Sequence, residues 1–352
     1  MAADPEAGPS YEATLELYSK ICTKEMGIEA CSALLATRPD ADDDPNPKVI
    51  AFRGRLGPGG MHALMYACMG EGPGVKEGTS PYILLEELRI SEGQVQDAGL
   101  SHIAQLLKAK NMALSSLSLS GDSITKAGCD FLTMALISNR TLKELRLDYC
   151  EGLDDRAVKS ICNGVGLHVI LETLSLRFCS FGPSGARSLA RMLSCAPGDS
   201  ALSRLYIEGN RILPEGLEAL AQGIALSTTL KELDLRGCEI GDPYDPSQFD
   251  TMKGTVEGAF QALSDALCEN KRNCDAISAT GDFEDVNCVE ALDLQDNIIS
   301  STSAEHLEAM FQNGAGVSTL KIDISTPKYE VLYRVAAAGK GGKKGKKGKK
   351  KK

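Results

Sequence analysis

The stretch Leu142-Lys143-Glu144-Leu145-Arg146-Leu147-Asp148-Tyr149-Cys150 decides the fold of this 352-residue chain, because its first six residues recur. An apolar residue, two free positions, Leu, one free position and then Leu or Ile return from Leu85, Leu114, Leu171, Leu202, Leu230, Val289 and Val317. Successive phrases start about 29, 28, 29, 31, 28, 59 and 28 residues apart. A fixed period of this size is the mark of stacked repeats.

Within each phrase apolar and free positions alternate as in a strand, as in Leu145, Arg146, Leu147 or Leu233, Asp234, Leu235. A turn follows, then an apolar ladder stepping by four that begins at glycine: Gly99, Ile103, Leu107; Gly128, Leu132, Leu136; Gly185, Leu189, Leu193; Gly216, Leu220, Ile224. Steps of four keep to one face of a helix. One repeat is therefore strand, turn, helix and return loop, and it buries its apolar face only against its neighbours. Strands pack roughly 4.7 to 4.9 Å apart and helices need about 10 Å, so the stack bends with its strands on the inside. The expected fold is an α/β solenoid, a horseshoe with parallel strands on the concave face and helices on the convex face.

Three residues after the last strand anchor the series reads Gly93, Asp122, Cys150, Cys179, Asn210, Cys238, Asn297 and Ser325. Asn or Cys at that register, in repeats long enough for a full helix, resembles the ribonuclease-inhibitor-like class of leucine-rich repeat proteins, over roughly 49–325. In that class the side chain ties the turn to the next repeat, and the resemblance implies a protein-binding horseshoe.

The solenoid is expected over 48–326 as a degenerate first repeat plus about eight regular ones. Val49 to Met69 supplies the degenerate repeat, with Ile50 and Phe52 as anchors, Gly57 to Gly60 as its turn and Ala63, Leu64, Ala67 and Cys68 in a helix. Residues 1–47 form a helical cap, with apolar positions Leu15, Leu17, Ile21, Ile28, Cys31, Leu34 and Leu35 facing the first strand edge, followed by an Asp/Pro linker. The double step between Leu230 and Val289 reads as one repeat whose helix spans Thr255 to Leu267, with insertion loops near 242–254 and 271–287. A C-terminal cap over 327–338 and a disordered tail over 339–352 complete the division.

The tail holds nine lysines, Lys340, Lys343, Lys344, Lys346, Lys347, Lys349, Lys350, Lys351 and Lys352, and no acid. The rest of the chain sets 29 basic against 48 acidic residues. A Gly/Lys tract buries no apolar area, and lysines without interleaved aromatics attract polyanions such as RNA or tubulin tails with little discrimination.

Residues 1–10 lack the apolar run of a signal peptide, so a cytoplasmic, cytoskeletal or ciliary chain is expected, or a nuclear one. The twelve cysteines then read as packed thiols. His62, His102, His168 and His306 lie far apart and no Cys-x-x-Cys occurs, so no metal or cofactor is expected. Gly54, Gly57, Gly59 and Gly60 lack phosphate-loop spacing, and no catalytic signature is present, so no enzyme is expected. No apolar run approaches the roughly 20 residues that span a bilayer.

Recognition is sought in the strand positions that face outward. Their columns place Arg89, Arg146, Asp148, Arg177, Tyr206, Glu208, Asp234, Arg236 and Asp293 on the concave face, with Tyr149 and Phe178 at its rim. Arg and Tyr are typical interface anchors, so these residues are the expected protein-binding patch; the alternative is a solvated face closed by internal ion pairs. The helical N-terminal piece with Leu56-Gly57-Pro58-Gly59-Gly60 and Ala63-Leu64 is similar to ciliary leucine-rich repeat proteins, including a dynein regulatory complex subunit, which implies a cytoskeletal scaffold. Two other readings are a GTPase regulator, since Ran GTPase-activating proteins are similar crescents, though with acidic C-terminal regions, and an inhibitor of a basic enzyme such as a ribonuclease.

Overall fold

The computed structural model describes residues 9–37, 44, 46–73, 75–109, 112–196, 198–242, 249–283, 286–325 and 331–337. The expected Lys-rich tail lies outside them, as does most of the Asp/Pro linker.

Among the described residues ten strands form one sheet in chain order: β1 (Val49–Arg53), β2 (Glu87–Ser91), β3 (Ser116–Ser120), β4 (Glu144–Arg146), β5 (Thr173–Ser175), β6 (Arg204–Tyr206), β7 (Glu232–Asp234), β8 (Ala291–Asp293), β9 (Thr319–Ser325) and β10 (Val331–Ala337). Parallel pairing sets each repeat's anchor beside the next, Leu117 to Leu145 to Leu174 to Leu205 to Leu233 to Leu292 to Leu320, while β10 returns antiparallel to β9. The second layer is α3 (Gly57–Met69), α4 (Gln96–Lys108), α5 (Lys126–Leu136), α6 (Asp155–Val165), α7 (Pro183–Leu193), α8 (Leu213–Leu226), α9 (Phe249–Ser278) and α10 (Ser301–Gln312). One apolar core runs between the layers from Tyr11 to Ile322.

Glycines let neighbouring helices approach: a Cβ on Gly216, which opens the ladder of α8, would stand 3.2 Å from Ala186 and Pro183 of α7. At Gly223 on α8 a Cβ would stand 2.4 Å from the Ala190 carbonyl of α7, so no side chain fits there.

The turn residues do bond between repeats, but in the direction opposite to the one the resemblance implies. Asn210 donates from Nδ2 to the carbonyls of Leu176 (2.8 Å) and Ile207 (2.7 Å) and accepts at Oδ1 from the Cys179 amide (3.0 Å). Asn297 treats Leu235, Leu294 and the Cys238 amide in the same way. The Cys179 and Cys238 thiols point to Leu147 O and Ile207 O at 3.3 Å. Each turn is thus tied to the preceding repeat through that repeat's strand-end carbonyl, a buried backbone group that needs a donor.

Two other expectations change. The helix expected over Thr255 to Leu267 spans Phe249–Ser278, so 271–278 belongs to α9 and is not an insertion loop. Its far end is held by polar groups, since Asn270 Nδ2 donates to Ile224 O (2.8 Å) and Ser227 O (2.7 Å) and Asn273 Nδ2 donates to Ala225 O (2.9 Å). β7 pairs directly with β8, so one strand-to-strand step spans the double-length period. Gly57 to Gly60 is not a turn but the first turn of α3, with Pro58 suited to a helix start by its fixed φ.

At the N-terminus α1 (Tyr11–Lys20) packs mainly on α3, while the single turn α2 (Ser32–Leu35) lies by β1. Tyr11, Leu15 and Tyr18 are buried, and the Tyr18 hydroxyl accepts from the Cys31 amide at 2.9 Å. The N-terminal piece therefore closes the end of the core more than the strand edge.

Candidate functional site

The outward residues of β4 to β9 converge on one charged cluster. Arg177 pairs with Glu208 (3.4 Å) and Asp234 (3.1 Å), and Arg236 pairs with Glu208 (2.6 Å), Asp234 (2.9 Å) and Asp293 (3.7 Å). Lys321 adds a bond to Asp293 at 3.2 Å. The register aligns Tyr206, Asp234, Asp293 and Lys321 across four neighbouring strands, so the network is a direct product of the repeat.

Tyr206 sits at the edge of this network with the Arg177 guanidinium 4.5 Å above its ring and that of Arg146 at 5.8 Å. Such placement stabilises the cation against the ring face. A groove of about 340 Å³ opens here, lined by Arg146, Arg177, Tyr206, Arg236, Gln295 and Lys321 among others.

The electrostatics follow from burial and pairing. Burial pushes Asp234 toward the neutral form, but the Arg236 bonds and charge, with help from Arg177, outweigh it and hold the carboxyl below its ordinary value. Glu208 goes the other way: burial, with the neighbouring Asp234 and Asp296 charges, raises it more than Arg236 and Arg177 lower it.

Several sequence-derived assignments change in this light. Asp234 is not a free outward carboxylate; it is only 5% exposed and clasped by two arginines. Arg177 and Arg236 are bound to internal carboxylates before any partner arrives. Asp148 is a backbone brace, accepting from Ser175 Oγ (2.6 Å) and the Arg177 amide (2.9 Å). Arg89 stands apart on β2, paired with Glu87. Arg146 pairs with Glu144 at 2.5 Å and remains partly exposed.

Tyr149 and Phe178 are the exposed aromatic members of the patch, at 55% and 40% exposure, with rings stacked at 4.9 Å and 8°. Both occupy left-handed backbone, φ +58° and +51°. The same register, two residues after the last anchor, is left-handed in other repeats too, where it holds Glu92, Gly121, Gly209, Gly237 and Asp296. Glycine is free of penalty there, whereas an L side chain costs about 1–2 kcal/mol. Phe178 also needs Gly209, whose Cβ would lie 2.3 Å from the ring.

Lys321 and Glu144 complete the network and were passed over in choosing site residues from sequence, although Lys321 stands in the same outward column. The strain at Tyr149 and Phe178 was missed too. Its signal was the glycine in register at Gly121, Gly209 and Gly237.

All twelve cysteines are free thiols. Burial raises those of Cys68, Cys129, Cys150, Cys162 and Cys238 to about 12, which leaves them protonated and inert. Among the described residues no group of His, Cys, Asp and Glu is placed to hold a metal ion, and no helix is long and apolar enough to cross a membrane.

Comparison with known proteins agrees with this geometry. The family model described as Leucine Rich repeat matches residues 138–162, 170–190 and 226–243. The ribonuclease inhibitor of Sus scrofa is 33% identical over 156 residues, 44% of this chain and 33% of that protein. The ribonuclease inhibitor of Mus musculus is 29% identical over 158 residues, 44% and 34%. NACHT, LRR and PYD domains-containing protein 13 of Homo sapiens is 31% identical over 144 residues, 41% and 13%. The chain thus spans about a third or less of the length of these relatives. With a layer of parallel strands in repeat register and a layer of helices, the chain has the leucine-rich repeat solenoid fold and is similar to ribonuclease-inhibitor-like leucine-rich repeat proteins.

Proposed function

We propose that this chain is a non-enzymatic scaffold that binds another protein through the middle of its concave face, with Tyr149 and Phe178 as exposed anchors beside Arg146, Tyr206 and the Arg177/Arg236 network. One observation carries the reading. Two adjacent repeats hold large aromatic residues, exposed, at a backbone position where neighbouring repeats have glycine. Residues held in sparsely populated backbone regions cluster at functional sites, and here the strained side chains are exposed.

Substituting both, Tyr149→Gly and Phe178→Gly, separates function from fold. Relief of left-handed strain, about 1–2 kcal/mol each, offsets the lost stacking of about 0.5–1.5 kcal/mol, so thermal stability should stay nearly unchanged while capture of a concave-face partner falls. Retention of every partner in a quantitative pull-down would falsify the assignment.

The named relatives favour a second reading, an inhibitor of a basic enzyme such as a ribonuclease. Titrating the chain against ribonuclease activity tests it, and an unchanged rate at excess chain removes it. A cytoplasmic, axonemal placement and a polyanion contact by Lys340 to Lys352 belong to the same proposal and rest on sequence alone. Co-sedimentation with microtubules should weaken steeply with salt and on deleting the last fourteen residues. Salt-independent binding contradicts that part.

A further inference from the structure

The exposed faces of α6 and α7, on the opposite side of the molecule, carry an unneutralised basic patch. Arg156 and Lys159 stand one turn apart on α6, and Arg187 and Arg191 one turn apart on α7, all four exposed. Of the two acids at the start of α6, Asp154 caps the helix by accepting the amides of Arg156 (3.0 Å) and Ala157 (2.9 Å), and Asp155 accepts the amides of Gly182 and Gly185, both at 2.8 Å. Arg187 and Arg191 reach the hydroxyls of Ser184 and Ser188 and a backbone carbonyl. By contrast, Lys126 on α5 pairs with Asp130 and Arg211 before α8 pairs with Glu239. Among the described residues none of the four patch bases forms an ion pair, in a chain with 48 acidic against 38 basic residues.

Between the C-terminal halves of these two helices lies a groove of about 360 Å³, lined by Lys159, Cys162, Leu167, Arg191, Met192 and Cys195. Cys162 and Met192 form a buried apolar floor, while Leu167 stands 61% exposed at the lip. Apolar exposure continues onto α5 through Phe131, Met134 and Ile137, at one-turn spacing. An apolar slot of this size, with polar groups converging on its edges, is the form of a binding site.

We propose that this groove is a second interaction site, for an acidic segment of a protein partner that seats one large apolar side chain between α6 and α7 while its carboxylates pair with Arg156, Lys159, Arg187 and Arg191. Charge complementarity selects an acidic occupant, and the bases steer its approach. The buried floor at Cys162 and Met192 favours a single inserted side chain, which a flat headgroup layer does not supply, and the exposed Leu167 at the lip makes a bilayer the competing outcome of the test. The site is independent of the concave face.

The test uses the full chain and a fluorescein-labelled peptide of Glu and Asp surrounding a single Phe, read by anisotropy at low salt. The peptide should bind and shift the Met192 methyl resonance. Arg187→Glu with Arg191→Glu should weaken it by about tenfold or more, as should exchanging the peptide's Phe for Ser. The Tyr149→Gly and Phe178→Gly variant should bind it normally. All of these substitutions fall on exposed residues, and melting curves check the fold. Three results overturn the proposal: binding no tighter than that of the Ser peptide, undiminished binding to the charge-reversed variant, or phosphatidylserine vesicles that need Arg187 and Arg191 and are not displaced by the peptide.

Discussion

His168 shows how one side chain sets a pH limit on the stack. It is fully buried in the return loop before β5, and its Nδ1 accepts the amides of Leu171 (2.9 Å) and Ile170 (3.4 Å). Burial, with the nearby Arg140 charge, lowers it to about 4, so it stays neutral where an unfolded chain's His takes a proton. Stability is then complete above about pH 6.5 and drains away between there and about pH 4. At about 1.4 kcal/mol for each tenfold change in proton affinity, the loss is on the order of 3 kcal/mol. One repeat earlier Asn139 does the same work, accepting from Leu142 N (2.8 Å) and also donating to Leu107 O (2.8 Å), whereas His168 Nε2 has no partner. His168→Asn should therefore keep neutral-pH stability and flatten this acid loss in urea titrations. An unchanged pH dependence would place the acid sensitivity elsewhere.

Among elements, α9 shows the reach of sequence reasoning most plainly. Val256, Ala259, Phe260, Leu263 and Leu267 make its first part legible as an apolar ladder. Beyond Cys268 the contacts that hold it are polar, Asn270 and Asn273, together with the Cys274 thiol, so apolar periodicity stops while the helix continues. Asn270 also accepts the Val289 amide at 3.0 Å and so fixes the entry to β8. Asn270→Ala should leave these buried groups unpaired, cost about 1–3 kcal/mol in urea unfolding and speed hydrogen exchange at Val289. Unaltered exchange there would mean that α9 holds β8 by packing alone. The strands β2 to β9, by contrast, were legible, because each carries its anchors in six consecutive residues, whereas β10 has no such phrase and lies in the segment expected only as a cap. The concave patch was legible only in part: sequence placed the outward columns, but not that Glu208, Asp234 and Asp293 already occupy Arg177 and Arg236. Spacing along one strand does not report distances across four.

At the scale of the molecule, the repeat divides the labour. Leu, Ile and Val anchors with Asn or Cys turns build a continuous core, and the residues between them are left to recognition. The two faces then differ in kind: the concave centre is internally neutralised and edged by a strained aromatic pair, and the convex α6/α7 surface keeps its bases unpaired. The most direct measurement on the concave claim places the photo-crosslinker p-benzoylphenylalanine at Phe178 in the full chain, with the same group at Ile83, exposed before β2, as reference. Discrete protein adducts at 178, reduced when Arg146→Ala and Tyr206→Ala are added, are expected. Adducts equal at both positions, or absent at 178, would contradict a partner seated on the middle of the concave face.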